Sequence, residues 1–235
     1  MNTKFNKLIT LWAVVLVVGL FGCSNSNEPD EIKSCDAPFT FLKVGNKWDY
    51  QIIGTATAYK NDSLTSNDTI NGVETLEIVS EKDGAFRVNS NIPISIYFYW
   101  KLIDNDLYMM PVIPDAETFY QLVLPKNCCN VGYKWGDTVE YSDEITEGTC
   151  EILSVSEKVT VPAGTFTDCI KIKSISRTWD NITQSITYSA AAIGYYHKDF
   201  GFIKRLTNTV HYYLDSELID RIEIEDCVEL INKNF

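Results

Sequence analysis

The sequence is poor in the groups that most enzymes and metal sites use. Its 235 residues include two histidines, His197 and His211, and neither lies near a cysteine in the chain. It contains no Gly-x-Ser-x-Gly elbow, no His-Glu-x-x-His pair and no phosphate-binding loop. Because no catalytic or metal signature is recognisable, we expect no cofactor, no metal and a protein that is not an enzyme.

Basic residues and long apolar runs are scarce as well. The chain carries 20 Lys and Arg against 32 Asp and Glu, for a net charge of −12. An acidic surface repels polyanions, which argues against nucleic acid as a partner. No segment keeps a helical apolar period, and the longest apolar run is shorter than the roughly 20 residues of a spanning helix. The pattern therefore argues against an all-helical fold and against a helical membrane span.

That apolar run, Leu8 to Phe21, follows a start that carries Lys4 and Lys7 and no acidic residue. A charged start before an apolar run of this length is typical of a secretory signal peptide. The run ends in Leu20-Phe21-Gly22-Cys23, which resembles the lipobox of bacterial lipoproteins. The resemblance implies cleavage before Cys23, a diacylglyceryl group on its thiol and an acyl chain such as palmitate on its amino terminus. Several acyl chains anchor a protein stably to a membrane.

Three segments follow from this motif. Residues 1–22 form the signal peptide, residues 23–34 a flexible polar tether, and residues 35–235 a single domain. Without the leader the net charge becomes −14. Ser24, directly after the lipidated cysteine, resembles the outer-membrane sorting pattern, and Glu28-Pro29-Asp30-Glu31 resembles acidic surface-export signals. We therefore expect a cell-envelope lipoprotein of the outer membrane that faces the periplasm or the cell surface.

Six cysteines remain once Cys23 is assigned to lipid: Cys35, Cys128, Cys129, Cys150, Cys169 and Cys227. An even number in an exported chain predicts disulfide bonds, with the connectivity left open. An adjacent pair such as Cys128 and Cys129 seldom forms a mutual bridge, so we expect each to have a separate partner. Strict strand alternation places Cys150, Cys169 and Cys227 on polar faces, although a β-bulge could reverse any one of them.

The rest of the chain has the pattern of short β-strands, with Thr, Val, Ile, Tyr and Phe bounded by Gly, Asn and Asp. Turn residues at Lys82-Asp83-Gly84, Asp104-Asn105-Asp106 and Pro162-Ala163-Gly164-Thr165 predict hairpins. The segment Pro114 to Leu124 fits either a short helix or a strand over Thr118 to Leu124. Strands joined by short turns predict a mainly β fold. We expect an antiparallel meander that forms a curved sheet or half-barrel, with at most one or two short helices.

Two segments share the pattern Val-Gly-x-Lys-Trp, one ending at Trp48 and the other at Trp135. In each, the glycine permits a turn, and the tryptophan opens a strand with its ring directed inward. The alternative interpretation is a pair of aromatic clamps for a ligand.

Three motifs resemble a family of uncharacterised bacterial lipoproteins. They are the opening Phe41 to Tyr50 with its Val-Gly-Asn-x-Trp-x-Tyr sequence, the Val-Pro-Ala-Gly-Thr-Phe hairpin of Val159 to Phe166, and the late strand Gly201 to Lys204. The chain departs from the family at Phe41, where the family has Pro, and in its many cysteines. Distant relatives have curved sheets similar to the LolA/LolB lipoprotein carriers. The resemblance implies a curved sheet, but it supplies no activity and no site residues.

The stretch Ile94 to Leu102 alternates an apolar face with a polar one. Such a face lines either an apolar cavity or the ordinary core. We select Ile96, Phe98 and Trp100 as candidate ligand-binding residues. The predicted function is a non-catalytic, lipid-anchored envelope protein that binds an apolar, lipid-like ligand, a glycan or an envelope protein. A hydrolase whose site is not recognisable from sequence is the alternative.

Titratable residues offer no clear choice between these functions. Alternation predicts that His211 faces solvent from a strand, and His197 is predicted to be solvated beside Lys198 and Asp199. Carboxylates are too numerous for any pair to stand out. A cleft with a histidine or a carboxylate pair of perturbed pKa would favour the hydrolase, whereas an apolar concavity would favour the binding protein.

Cys23 should be the mature amino terminus and should carry lipid. Mass spectrometry of the protein isolated from the envelope is expected to find an acylated amino-terminal peptide that begins at Cys23. Recovery of unmodified protein that still begins at Met1 would contradict the lipobox interpretation.

Overall fold

The computed structural model describes residues 39–91, 98–110, 121–126, 130–140, 144–183, 185–213 and 220–235. Within these ranges the chain forms twelve strands and no helix: β1 (Lys47–Lys60), β2 (Ser63–Lys82), β3 (Ala85–Ser90), β4 (Phe98–Ile103), β5 (Asp106–Met110), β6 (Gln121–Leu124), β7 (Lys134–Glu140), β8 (Glu144–Val161), β9 (Gly164–Asp180), β10 (Ile186–His197), β11 (Gly201–Tyr212) and β12 (Arg221–Asn234). Strand β6 occupies the end of the ambiguous segment 114–124, whose beginning lies outside the described residues.

All twelve strands belong to one antiparallel sheet, in the spatial order β6-β5-β4-β3-β2-β1-β12-β11-β10-β9-β8-β7. Strands that are neighbours in sequence are neighbours in space, except β6 and β7, which lie at the two edges. The first and last strands pair with each other, from Lys47 opposite Asn234 to Tyr59 opposite Arg221. The predicted antiparallel meander is confirmed, and the sheet is not closed. In the described part of the chain, no helix is long and apolar enough to span a bilayer.

The predicted hairpin turns occur where the backbone adopts positive φ. Asp83 and Gly84, at 53° and 74°, connect β2 to β3, and Asp104 and Asn105, at 52° and 69°, connect β4 to β5. Gly164, at 133°, follows the turn between β8 and β9. Asp, Asn and Gly tolerate these conformations better than other residues. All three predicted hairpins are confirmed.

The two Val-Gly-x-Lys-Trp segments form the same turn. The φ values of their glycines are 94° at Gly45 and 86° at Gly132. Gly45 donates its N–H to the Ile78 carbonyl of β2 at 2.8 Å, and Gly132 donates its N–H to the Ile152 carbonyl of β8 at 2.7 Å. The tryptophans that follow, Trp48 and Trp135, are both buried. The prediction of a turn followed by an inward-facing tryptophan is confirmed in both segments.

The main core occupies the end of the inner face where β1 begins, which we call the apolar half. Its buried members include Trp48, Tyr50, Ile52, Ile78, Val88, Leu124, Ile152, Ile172, Ile203 and Leu230. An aromatic cluster packs within it. The ring of Trp100 contacts Phe41, Trp48 and Phe98 edge to face, with centroid distances of 5.6, 5.7 and 5.6 Å. Aromatic pairs of this geometry add to the stabilisation from buried area.

Two of the three described cysteines face the opposite way from the prediction. Cys150 and Cys169 are buried in the main core, whereas Cys227 lies half-buried on the outer face, as predicted. The prediction placed Cys150 on the same face as polar residues later in β8. Register shifts after Ile152 break that alternation, so the later residues no longer share the face of Cys150. Asp168, with a φ of 57°, interrupts β9 directly before Cys169. The polar-face prediction for Cys150 and Cys169 is therefore wrong, because bulges reverse the phase.

Burial also controls the chemistry of these thiols. It raises the pKa of Cys150 to about 12 and, with help from nearby carboxylates, the pKa of Cys169 to about 11. A thiol with so high a pKa is protonated and unreactive at neutral pH. Cys35, Cys128 and Cys129 lie outside the described residues, so disulfide bonds that involve them stay a prediction.

Alkylation of the native protein, after its disulfide bonds have been reduced, should therefore distinguish the three described cysteines. We expect a maleimide at pH 7 to label Cys227, because its side chain is only half-buried. Cys150 and Cys169 should be labelled only after unfolding in denaturant. Site-resolved mass spectrometry measures all three in one sample, and labelling of the two buried cysteines as fast as Cys227 would contradict the described packing.

Candidate polar ligand site on the inner face

The inner face changes character along the strands. Beyond the apolar half, toward the end where β1 finishes, the inward-facing residues are mostly small or polar, and we call this region the polar half. Its buried polar members are Thr146, Ser174, Ser176, Thr178, Thr207, Thr209, His211 and Asp226. Four buried alanines, Ala56, Ala58, Ala190 and Ala192, lie among them. In the apolar half, aromatic rings fill the space over the inner face. In the polar half, the side chains are too small to fill the same space.

Six of these residues form a regular grid on three neighbouring strands. Strand β10 supplies two alanines, β9 two serines and β11 two threonines, in the rows Ser174–Ala192–Thr207 and Ser176–Ala190–Thr209. All six are buried. Since neighbouring strands lie about 4.8 Å apart, the two hydroxyl columns flank the alanines at roughly 10 Å from each other. We call this arrangement the Ser–Ala–Thr grid.

Charged residues border the grid: Arg205 lies on the side of the apolar half, and Asp226 of β12 lies beside Thr207. Nη2 of Arg205 lies 3.8 Å from Oδ1 of Asp226, whose side chain is fully buried. Glu74 is also buried and accepts a hydrogen bond of 2.8 Å from the Ser90 hydroxyl. Burial raises the pKa of both carboxyl groups, and the positive charge of Arg205 acts against that rise at each. One arginine is thus shared by two buried carboxyl groups.

An aromatic pair borders the grid at its other end. Tyr188 and His211 face each other across β10 and β11, with ring centroids 4.8 Å apart. Burial raises the pKa of Tyr188 to about 12 and lowers the pKa of His211 to about 4. Both side chains are therefore neutral at physiological pH. They offer hydrogen-bonding atoms without adding charge.

Several polar atoms of this region have no hydrogen-bond partner among the described residues. They are the hydroxyls of Ser176, Tyr188, Thr207 and Thr209, Nε2 of His211, Nε of Arg205 and both carboxylate oxygens of Asp226. Thr207 lies beside Asp226 and Thr209 beside Tyr188, but neither pair is in hydrogen-bonding geometry. Leaving one such buried group unpaired costs about 1–3 kcal/mol. A cluster of them indicates a place that water or a ligand completes.

A cleft opens over the grid. All grid residues except Thr209 line it, together with Tyr188 and Arg205. The cleft has a volume of about 250 Å³ that includes its open side, and an inner space of about 10 Å³. The inner space holds roughly one water molecule. Pockets for drug-sized ligands span about 300–1,000 Å³, so a ligand larger than water would have to occupy the open side of this cleft.

The ligand-binding residues selected from sequence lie elsewhere. Phe98 and Trp100 are on β4 and pack against the main core, with ring centroids 5.6 Å apart. The structure brings these two together but does not bring them to the cleft. Ile96 lies outside the described residues, as does the lipidation site Cys23. Their role in ligand binding and lipidation stays a prediction.

Both histidines are less exposed than predicted. His211 faces inward and is 8% exposed, so the prediction of a solvent-facing side chain is wrong. The error has a clear cause, because the more apolar phase of β11, with Leu206 and Val210, is the outer one. His197 packs on Phe200 with ring centroids 4.8 Å apart, and its side chain is 12% exposed. The prediction that His197 is solvated is wrong as well.

Sequence reasoning missed the residues that border and line the cleft. Asp226 offered a signal, since it occupies the same inward phase as Ile224 and Val228. A lone carboxylate in an apolar phase indicates a buried polar group. The serines and threonines of the grid offered no such signal, because Ser and Thr on alternate positions are equally typical of an outer face.

The separations between titratable groups limit the chemistry available here. The β11 partner of Asp226 is four residues from His211, or about 13 Å along the strand. The β1 partners of Glu74 and Asp226 are likewise four residues apart, so the backbone positions of these two residues also lie about 13 Å apart along the sheet. Among the described residues no set of three or more His, Cys, Asp or Glu is arranged to hold a metal ion. The functional groups that do lie close together are hydroxyls, which can form hydrogen bonds.

Comparisons with known proteins add little to this geometry. No family model matches the chain, and no curated protein matches it. Among solved structures, the chain is similar to an outer membrane channel from Pseudomonas putida, with 12% sequence identity over 85% of this chain and 100% of that chain. The TM-score of this match is 0.29. A similarity this low carries no argument about topology or function.

The buried His211 should make folding stability depend on pH. Its pKa is about 4 in the fold and 6.5 when unperturbed, so the unfolded chain takes up the proton first as the pH falls. The stability contributed by neutral His211 above pH 6.5 is therefore lost toward pH 4, by up to about 3 kcal/mol. Asp226 and Glu74 act in the opposite direction, because their raised pKa values favour proton uptake in the fold.

The test of this prediction compares the wild type with His211→Gln by chemical unfolding at pH 7 and pH 4.5. The comparison cancels the carboxylate contributions, since both proteins retain them. We expect the variant to lose less stability than the wild type over this interval. Equal losses in the two proteins would show that His211 is not buried as described.

Proposed function

We propose that the chain is a non-catalytic, lipid-anchored protein of the cell envelope that binds a small polar ligand in the cleft over the Ser–Ala–Thr grid. The observation that carries this proposal is the cluster of buried polar atoms without hydrogen-bond partners among the described residues, beside an open cleft. Buried polar groups are nearly always paired in folded proteins. A ligand that supplies hydrogen-bond partners for these atoms explains why the protein retains buried polar groups here.

Two features support a polar ligand over the apolar one considered from sequence. Trp100 and Phe98 make close ring contacts and pack against the main core, as ordinary core side chains do. The residues around the cleft carry buried hydroxyls, small alanine side chains and Arg205, and the surface exposed within it is mostly their carbon atoms. A lipid tail in that position would leave the hydroxyls unpaired, at a cost for each of them.

The envelope location rests on the leader and lipobox, which the described residues do not include. A tether of 12 residues from Cys23 to Ser34 reaches about 40 Å when extended. That length lets the domain move away from the membrane surface. The acidic domain is also repelled by anionic headgroups, which favours a position in the surrounding solution.

A hydrolase is the second candidate. The cleft region contains His211 and two carboxyl groups whose pKa values are shifted by burial, the feature that was expected to favour an enzyme. The register argues for binding instead, because the backbone position of Asp226 lies about 13 Å along the sheet from those of His211 and Glu74. Catalytic acid–base pairs need hydrogen-bond reach or a single bridging water.

The test is a binding survey with the domain that starts at Ser24, with thermal melting as the readout. The polar probes are amino acids, polyols, sugars and short dicarboxylates, and cis-parinaric acid is the apolar probe. We expect at least one polar probe to raise the melting temperature saturably, without being consumed, and cis-parinaric acid to have no saturable effect.

Trp100→Ala provides the matched comparison for this survey. The variant should lower the melting temperature, because it opens the aromatic cluster, and should leave affinity for the polar probe unchanged. Saturable binding of cis-parinaric acid that Trp100→Ala abolishes would overturn the polar-ligand proposal. Turnover of a bound probe that His211→Gln abolishes would support the hydrolase instead.

A further inference from the structure

Strand β2 has neighbours on both sides along only part of its length. It pairs with β1 over residues 63–77, but with β3 only over residues 76–82. Among the described residues, the segment 63–73 therefore has β1 on one side and no paired strand on the other, and we call this segment the free edge. All its residues are exposed except Ile70, which is partly buried.

Asn91 shows where the pairing with β3 stops. Its N–H donates to the Thr75 carbonyl at 3.2 Å, and its side-chain oxygen accepts from the Thr75 N–H at 2.8 Å. Its side-chain amide also donates to the Val73 carbonyl at 3.3 Å. These groups of β2 point away from β1, and in a strand the backbone groups of every second residue point the same way. In the described part of the chain, the free edge thus presents, without a paired strand, the backbone groups of Asn67, Thr69 and Asn71.

The free edge also lacks the features that usually protect an edge strand. Proteins block such strands with charged side chains, prolines, bulges or short length. The free edge contains no proline and no basic residue, and its single charge is Asp68. Its register with β1 is uninterrupted over residues 66–77. An edge of this length and regularity is a template for another β-strand.

A second copy of the same edge is a suitable partner. Two copies of β2 can pair antiparallel about a two-fold axis, with their odd-numbered residues exchanging hydrogen bonds. This alternation requires the axis to pass through a residue rather than between two residues. Strand β3 lies beyond the paired segment in both copies, because it pairs only with residues 76–82.

The position of Asp68 selects the centre of this ladder. With the axis at Ile70, the two isoleucines face each other, and Asp68 faces Gly72 of the second copy. An axis one residue earlier would set Asp68 opposite the apolar Ile70, and an axis one residue later would set it opposite Glu74. An axis at Asp68 would set the two aspartates opposite each other. Since like charges directly opposite destabilise an antiparallel pair, the axis at Ile70 is favoured.

We propose that the free edge is a self-association surface, at which two copies of this chain pair through β2 in an antiparallel ladder centred on Ile70. The ladder supplies hydrogen-bond partners to the backbone groups of both edges and joins the two sheets. It also explains an exposed edge that neither charge nor proline protects. The proposal goes beyond the proposed function, because it involves neither the cleft nor its ligand. The net charge of −14 without the leader opposes association, so salt should strengthen the pairing.

Sedimentation velocity of the full-length protein in detergent measures this association, at about 0.3 M salt to screen the net charge. Detergent micelles are kept in excess over protein, so that two chains seldom share a micelle by chance. We expect an equilibrium between monomer and dimer that shifts toward the dimer as the protein concentration rises.

Variants at Gly72 test the register through charge. A Cβ added at Gly72 meets no atom within 4 Å, and this glycine does not have a positive φ, so the fold tolerates a side chain there. In the proposed ladder, Gly72→Asp sets a carboxylate opposite Asp68 of the second copy, whereas Gly72→Lys sets an ammonium there. We expect the dissociation constant of the dimer to rise about fivefold or more for Gly72→Asp and to fall by a similar factor for Gly72→Lys.

The matched controls make the same changes of net charge away from the free edge. Ala191 is exposed on the outer face of β10. Ala191→Asp and Ala191→Lys should each change the dissociation constant by less than about twofold, because isolated surface charges contribute little.

Thr69→Pro tests the backbone ladder directly. The Thr69 N–H points to the free edge, so proline at this position removes a hydrogen bond of the ladder and none to β1. Two-fold symmetry removes that bond twice, so we expect the dimer to be about tenfold weaker or more. The control Thr69→Val keeps the N–H and should retain the dimer. Chemical unfolding of both variants checks that the monomer fold survives the substitution.

Opposite responses to the two Gly72 variants, with loss of the dimer in folded Thr69→Pro, support the proposal. A dimer that responds to none of these variants forms through another surface and overturns it. A protein that stays monomeric at every concentration, with Gly72→Lys monomeric as well, overturns it too.

Discussion

The pairing of β1 with β12 is the constraint on which the rest of the structure depends. These strands come from the two ends of the domain and are separated by about 160 residues of chain. Without their pairing, the sheet becomes two six-stranded meanders, each with an unpaired central edge. Loop-closure entropy grows only slowly with length, so a long ladder can offset the cost of bringing such distant strands together. The price is a slow search for non-local contacts during folding.

The same pairing decides which side chains face each other across the middle of the sheet. Gly54 stands opposite Asp226, and a Cβ added to Gly54 would lie 2.9 Å from the Asp226 Cα. Contact that close leaves room for no larger residue. Ion pairs between Lys60 and Asp220, and between Arg221 and Asp62, join the far ends of the strands at 2.7 Å each. Because all four side chains are at least partly exposed, these ion pairs contribute little energy and mainly favour the correct register.

The two halves of the inner face have opposite physical characters. The apolar half buries aromatic and aliphatic side chains around Trp48 and Trp100, and provides most of the hydrophobic stabilisation. The polar half buries hydroxyls and an Arg205–Asp226 contact that are incompletely paired among the described residues. Unpaired buried groups lower stability. Departures of this kind from good packing are expected at functional sites, which is why we assign binding to the polar half.

The sequence by itself determined the strand-rich composition, the hairpins and the two Val-Gly-x-Lys-Trp turns. These features depend on residues close together in the chain, where Gly, Asn and Asp permit positive φ and alternation marks the strands. The buried orientation of Trp48 and Trp135 could be predicted for the same reason. Alternation, however, identifies two faces of a strand without stating which one is enclosed.

The tertiary structure alone decided the candidate site. The inner phase of β11 carries Thr207, Thr209 and His211, although its outer phase is the more apolar one. Cys150 likewise lies inside, because the bulges of β8 that follow Ile152 separate its face from that of the polar residues after them. The Ser–Ala–Thr grid exists only because the registers of β9, β10 and β11 set its rows side by side. Enclosure depends on the curvature and pairing of strands far apart in the chain, and no local pattern of residues encodes those contacts.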